Sequence, residues 1–284
     1  MLPGGIEYPP QVKNGFWGPI TATIDWCEEN YVVSQYIAEY VNTLTNAVFI
    51  MLAFYALRNA LKNKLEMRFV LAALGFAVVG IGSWLFHMTL RYEFQLMDEL
   101  PMIYGTCIPC WNVFQTNATK SYSRKLAVGI ASGALLLTAV YLHFKNPTIH
   151  QAAYGSLNAV IIIQSFRLTR SYVKDPKVLK QFNYMLISGL SQFLFGYFLW
   201  NMDIHFCDFW RSLRHTVGLP YGLVLEGHGW WHLLTGSGVY FYLQYLEYLR
   251  NYVLGQEQDY KLSWRLNFLP VVELKTAKDY KKND

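Results

Sequence analysis

The feature that most restricts this chain is a series of long windows without formal charge: residues 69 to 90, 100 to 119, 126 to 144, 148 to 166 and 181 to 202. A helix needs about 20 predominantly apolar residues to cross a hydrocarbon core, and each window is long enough. Two more complete the series, residues 40 to 57 and residues 216 to 246, the latter with Glu226 as its only charge. Charged residues make up 15% of the chain, against about a quarter of an average soluble domain, so a soluble globule would lack polar cover. The expected fold is an all-α membrane protein, a seven-transmembrane-helix bundle in one domain over residues 40 to 249. A luminal segment, residues 1 to 39, precedes it, and a cytosolic tail, residues 250 to 284, follows.

The net charge of +5 is topological and implies no nucleic-acid partner, because the 24 basic residues alternate between loops. Arg58, Lys62, Lys64 and Arg68 follow the first window, Lys120, Arg124 and Lys125 the third, and Arg167, Arg170, Lys174, Lys177 and Lys180 the fifth. With the seven from Arg250 onward, nineteen lie on one side, against Lys13, Arg91, Lys145, Arg211 and Arg214 on the other. The positive-inside rule then puts the N-terminus in the lumen or outside and the C-terminus in the cytosol. Residues 1 to 12 have no basic stretch leading into an apolar one, so no cleaved signal peptide is expected and the first span serves for insertion. The last four residues, Lys281-Lys282-Asn283-Asp284, resemble a dilysine retrieval signal, which points to the endoplasmic reticulum or, failing that, the Golgi. A solvated charged end explains the same residues. The sequence shows no internal repeat and no low-complexity segment.

This topology divides the four cysteines. Cys27 and Cys207 both fall on the luminal side, where disulfides persist, and are the natural pair. Cys107 and Cys110 form a C-x-x-C inside the third span with Pro109 between them, and are expected to be inert free thiols. The sequon Asn117-Ala-Thr119 is expected to be cytosolic and unmodified.

Ionisable groups inside spans are costly and usually line a site. The seventh window holds Glu226-Gly-His228-Gly-Trp-Trp-His232, with two histidines four apart on one helical face. That spacing serves a zinc ion, or equally a hydrogen-bonded packing pair. The zinc-hydrolase motif H-E-x-x-H shares it, but Gly229 stands where that motif has its base, so a base must come from elsewhere. The second window ends with Ser83 and His87, also four apart, and Asp98 follows where the third span opens. By topology His87, His228, His232 and Asp98 lie at similar luminal depth, and three nitrogens with an open fourth position is the catalytic zinc arrangement. His143, His150, His205 and His215 are luminal too, so depth alone does not choose. Ser83 bonded back to its own helix and Asp98 as an N-cap remain the simpler readings. The acidic run Asp25, Glu28, Glu29 and Asn30, with Glu39 one short helix later, offers hard oxygens apt for calcium, or a solvated acidic turn.

Five segments carry a resemblance: Asp25-Trp-Cys-Glu-Glu-Asn30, Gly82-Ser-Trp-Leu-Phe-His-Met-Thr-Leu90, Gln95-Leu-Met-Asp-Glu-Leu-Pro-Met-Ile-Tyr104, Trp200-Asn-Met-Asp203 and Gly229-Trp-Trp-His-Leu-Leu-Thr-Gly236. In that order they resemble the alkaline ceramidases, seven-helix intramembrane zinc hydrolases. The likeness runs from about Trp17 to the end of the last span and leaves the tail after about Asn251 outside. The wider superfamily, adiponectin-receptor-like proteins and lipid-remodelling enzymes of glycolipid-anchored proteins, shares the Ser, Asp and three-His pattern but not the first segment. The resemblance implies zinc on His87, His228 and His232, with Asp98 and Ser83 catalytic. It also implies calcium on Asp25, the Trp26 carbonyl, Glu28, Asn30 and Glu39, with Glu29 outside the shell. The implied activity is hydrolysis of the N-acyl amide of ceramides, including dihydro- or phytoceramide, to a sphingoid base and a fatty acid. A hydrolase of glycolipid anchors and a non-enzymatic seven-helix receptor with structural zinc are the alternatives.

Overall fold

A computed structural model describes residues 2–276, and these are mostly helical. The helices are α1 (Tyr40–Thr45), α2 (Ala47–Lys62), α3 (Met67–Thr89), α4 (Tyr92–Phe114), α5 (Lys120–Phe144), α6 (Pro147–Tyr172), α7 (Pro176–His205), α8 (Cys207–Val217) and α9 (Gly227–Val253). Two strands follow, β1 (Tyr260–Arg265) and β2 (Leu269–Leu274). Three helical segments are by themselves long and apolar enough to cross a membrane: Tyr40–Lys62, Met67–Thr89 and Lys120–Phe144. Helices α4, α6, α7 and α9 are at least as long, 23 to 30 residues, but mix polar groups into their apolar faces.

Boundaries differ from the sequence windows for local reasons. The first window runs on to Lys62 and changes register at Asn46, where α1 hands over to α2. The last window is broken: Gly218 takes a positive φ of 78° and Pro220 follows, so α8 ends at Val217. A 3-10 turn, Tyr221–Leu225, then intervenes before α9 begins at Gly227. Asp98 does not open its span. Leu90 in the left-handed region closes α3, α4 starts at Tyr92, and Asp98 lies inside that helix, which excludes the N-cap reading. No helix separates Asn30 from Glu39; the segment turns, because Ala38 and Glu39 donate their N–H groups to the Met88 and His87 carbonyls at 2.9 Å.

The chain is not all-α. Tyr260 to Leu274 forms an antiparallel hairpin closed by residues 266 to 268, two of which, Leu266 and Asn267, have positive φ. The expected solvated tail is therefore packed instead, with Val271 and Val272 fully buried. Gln244 accepts the Val272 N–H at 3.0 Å, Asn63 accepts the Leu274 N–H at 3.1 Å, and Tyr240 donates to the Pro270 carbonyl. These bonds tie the hairpin to α2 and α9. The dilysine residues Lys281 and Lys282 lie outside the described residues.

Helix α9 is the axis of the bundle, and glycines let its neighbours approach it. A Cβ on Gly238 would come within 2.7 Å of the Gly189 carbonyl on α7, and one on Gly229 within 2.6 Å of Val41 on α1. Small residues at such crossings are the usual way membrane helices gain close packing. Across α3 and α4, Pro101 has no N–H for the Met97 carbonyl, and a Cβ on Gly82 would meet that oxygen at 1.9 Å. This contact sets Ser83 opposite Asp98.

Candidate metal centre

The ends of α3, α1 and α9 converge on one point. His87 and His232 lie on α3 and α9 with His228 one turn earlier on α9, and all three are buried. One nitrogen from each lies within 4.8 Å of the others, and ring centroids are 4.7 to 4.9 Å apart. Among the described residues no other cluster of three histidine, cysteine or carboxylate side chains has such an arrangement. Of the other four histidines, His150 bonds the Glu99 carbonyl at 2.7 Å, His215 bonds Glu29 at 2.9 Å, and His143 and His205 are exposed.

Two of the rings have partners on their outer nitrogens. Glu39 contacts His87 Nδ1, and in its ionised form it only accepts, which makes Nδ1–H the donor and leaves Nε2 its lone pair. On His232, Nδ1 lies 3.0 Å from the Thr45 hydroxyl, which also reaches the Val41 carbonyl at 2.7 Å, and 3.4 Å from the Asn46 amide nitrogen. Metal-binding histidines ordinarily show this pattern, the outer nitrogen bonded and the inner one available. The donor set fits a borderline-soft ion that takes imidazole nitrogen, zinc above all.

Ser83, buried on α3 one turn before His87, faces the Asp98 carboxylate of α4. Beyond them, one to three turns further along each helix, lies a cavity of about 400 Å³. Its wall is apolar, with Phe76, Val79, Met102, Leu190, Phe193 and Leu243 among its residues. None of the five site residues lines this cavity; it lies further along the same helices, with room for hydrocarbon.

The acidic segment sits against the same cluster. Asn30 donates to Asp25 at 3.1 Å, and the Trp26 N–H donates to Glu39 at 3.3 Å. Trp26 packs edge-on against His228 at 4.8 Å. Glu28 accepts the backbone N–H groups of Val41 and Asn42 at 2.6 and 2.8 Å, so it caps α1. Burial raises both Glu28 and Glu39 above the ordinary carboxylate range, and Glu39 adds to the effect on Glu28. Cys27 is joined to Cys207, while Cys107 and Cys110 are free. Thr45 and Arg214 were not legible as site residues: one reads as an ordinary helical hydroxyl, the other as a loop charge.

The fold and this centre define a helical, membrane-type protein with a buried three-histidine site above an apolar cavity. The ceramidase family profile matches residues 18–273, and the chain belongs to that family. The match includes the hairpin, which the sequence reading had left outside. Alkaline ceramidase YPC1 of Saccharomyces cerevisiae is 45% identical over 93% of this chain and 88% of its own length. Alkaline ceramidase 3 of Mus musculus is 40% identical, over 87% and 90%. Alkaline ceramidase of Arabidopsis thaliana is 27% identical, over 93% and 97%.

Proposed function

We propose that this chain is an alkaline ceramidase, hydrolysing the amide of ceramide to a sphingoid base and a free fatty acid. The observation that carries the reading is the convergence of His87, His228 and His232 beside the Ser83–Asp98 pair, above a cavity fit for a lipid chain. Zinc held by the three histidines would supply Lewis acidity toward the amide carbonyl and the attacking water. Asp98 takes the proton released as water adds to the carbonyl carbon, and returns it to the amine nitrogen as the C–N bond breaks. Ser83 donates its single proton to the ionised Asp98 carboxylate and, once Asp98 holds the water proton, accepts from it and turns its own proton to the carbonyl oxygen as the charge there grows. Glu39 and Thr45 hold the His87 and His232 rings at their outer nitrogens, and the apolar cavity orients the chain.

Calcium on Asp25, the Trp26 carbonyl, Glu28, Asn30 and Glu39 belongs to the same reading. It is supported by the juxtaposed buried carboxylates and by Asn30 Oδ1, which is buried without a partner. Glu28 would contribute the lone pairs left after capping α1. The reading also includes seven spans, a luminal N-terminus, a cytosolic C-terminus, the domain division at residues 39 and 249, and residence in the endoplasmic reticulum or Golgi membrane. The charge alternation between the loops supports the topology.

The test is detergent-purified protein incubated separately with a ceramide and a phospholipid, with and without a chelator, together with metal analysis. Free sphingoid base released only with metal present is expected. Phospholipid cleavage instead, or turnover untouched by chelation, overturns the reading. Glycan at Asn117 would reverse the orientation.

A further inference from the structure

His87 and His232 are oriented through their rings; His228 is not. Its Nδ1 is buried and has no hydrogen-bond partner. Whatever directs this imidazole acts on its backbone or on its ring faces, and Trp26 and Trp200 supply only edge-on ring contacts. The backbone around His228 is also unusually placed. Helix α9 starts at Gly227, and Glu226 at its N-cap makes no side-chain cap bond, so the first N–H groups need an outside partner.

Asp203, in the last turns of α7 and 1% exposed, stands there. Its Oδ2 is buried with no hydrogen-bond partner, and its carboxyl carbon would lie 3.4 Å from a Cβ on Gly227, so the carboxylate stands beside the first residues of α9. Gly227 makes this possible, because a Cβ there would come within 2.8 Å of the Asp203 Cβ and 2.7 Å of the Leu199 carbonyl. A carboxylate at a helix N-terminus is favoured by the partial positive charge of the unpaired N–H groups.

Asp203 is itself held. Its Oδ1 accepts from Arg214 Nη2 at 2.8 Å, and the same nitrogen lies 2.7 Å from Glu226 Oε2. Arg214 is fully buried in α8, and its Nη1 donates to the Cys27 carbonyl at 3.1 Å. Tyr8 donates to Glu226 from the N-terminal segment, and the Cys27–Cys207 bond joins that segment to the start of α8. One guanidinium thus ties together the end of α7, the start of α9 and the strand of chain that carries Trp26. An arginine fork suits such a junction because its donors are fixed in a plane.

We propose that Asp203, braced by Arg214, is a positioning residue for His228: it sets the first turn of α9 and so aims the third imidazole at the metal position. This rests on the reading of the histidine cluster as a zinc site. A network that only stabilised the luminal end would lower the melting temperature without changing how the folded protein holds zinc.

Full-length protein is purified in detergent, loaded with zinc and challenged with excess chelator, and the rate of zinc release is followed. Melting temperature, helical circular dichroism and thiol content are recorded in parallel. The variants are Asp203→Asn, which keeps the shape but not the charge, Arg214→Lys, which keeps the charge but not the fork, and Val272→Ala. The last removes buried volume in the hairpin, far from the histidines. Each is compared at the same interval below its own melting temperature. Asp203→Asn is expected to release zinc about 10-fold faster or more, as for other groups that orient a metal ligand. Arg214→Lys should fall between it and the wild type, and Val272→Ala should match the wild type. If Asp203→Asn releases zinc no faster than Val272→Ala, the positioning role is overturned. Should Asp203→Asn fail to fold, Arg214→Lys against Val272→Ala decides by the same criterion. A wild-type protein that binds no zinc overturns the metal reading and this inference together, whereas normal zinc in every variant overturns only the inference.

Discussion

Helices α5 and α9 have nearly the same length, 25 and 27 residues, and opposite surroundings. In α9 polar and apolar side chains alike are buried, including His228, His232, Gln244 and Glu247. In α5 only Ala134 and Tyr141 are buried, and Val128, Leu135 and Leu136 are about two-thirds exposed. The difference teaches how a membrane-type bundle divides its labour. A helix surrounded by protein can carry ligands and amides, because its neighbours satisfy them. A helix facing lipid must be apolar on its outer surface, since no partner there can satisfy a polar group. The glycines follow the same division: those at 229, 236 and 238 of α9 touch neighbouring helices, whereas Gly129 and Gly133 of α5 have nothing within 4 Å.

The comparison can be broken most directly at its functional end. His232→Ala should lose zinc and activity together, by a factor above about 10³, because two remaining ligands leave the ion poorly held. Full zinc and normal ceramide hydrolysis in that variant would show that α9 is not the catalytic axis. Asp98→Asn on the neighbouring α4 should lower turnover by about 100-fold or more while zinc stays near stoichiometric, since the shape survives and the proton acceptor does not. Ser83→Ala should keep the metal and lose up to about 10²-fold, checked in the same assay of released sphingoid base.

Packing gives smaller effects and sharpens the contrast. Gly238→Ala pushes a Cβ against the α7 backbone, which cannot move aside as a side chain can, and should cost about 1–3 kcal/mol, read as a lowered melting temperature in detergent. Gly133→Ala on α5 adds the same methyl to open space and should change stability by no more than about 0.5 kcal/mol. Equal effects at the two positions would mean that the bundle is arranged differently around α9.

Much of the bundle was legible because its signals are local. A charge-free window needs no partner to be recognised: α3 matches its window to within two residues at each end, and α5 ends where its window does. The pair His228 and His232 is legible for the same reason: four residues make one turn. What was missed depends on contacts between distant segments. Tyr260 to Leu274 reads as a charged tail until α2 and α9 supply Asn63 and Gln244 to receive its N–H groups. Asp98 looked like a helix cap because a span was expected to open there, yet the helix starts at Tyr92 and the carboxylate faces Ser83 across the α3–α4 contact. Arg214 looked like one of five luminal basic residues until two carboxylates and a carbonyl closed around it.

By itself, then, the sequence determined the apolar segments, the charge alternation between their connections, and the one-turn spacings that present paired side chains on a single face. All of these depend on neighbours along the chain and on the solvent each segment requires. Only the tertiary structure decided which three of the seven histidines meet, that Glu39 and Thr45 contact the outer nitrogens of two of them, and that Arg214 and Asp203 stand behind the third. Those choices depend on where helices far apart in sequence touch, and that is governed by glycine contacts and buried charge pairs whose partners lie up to about 190 residues away.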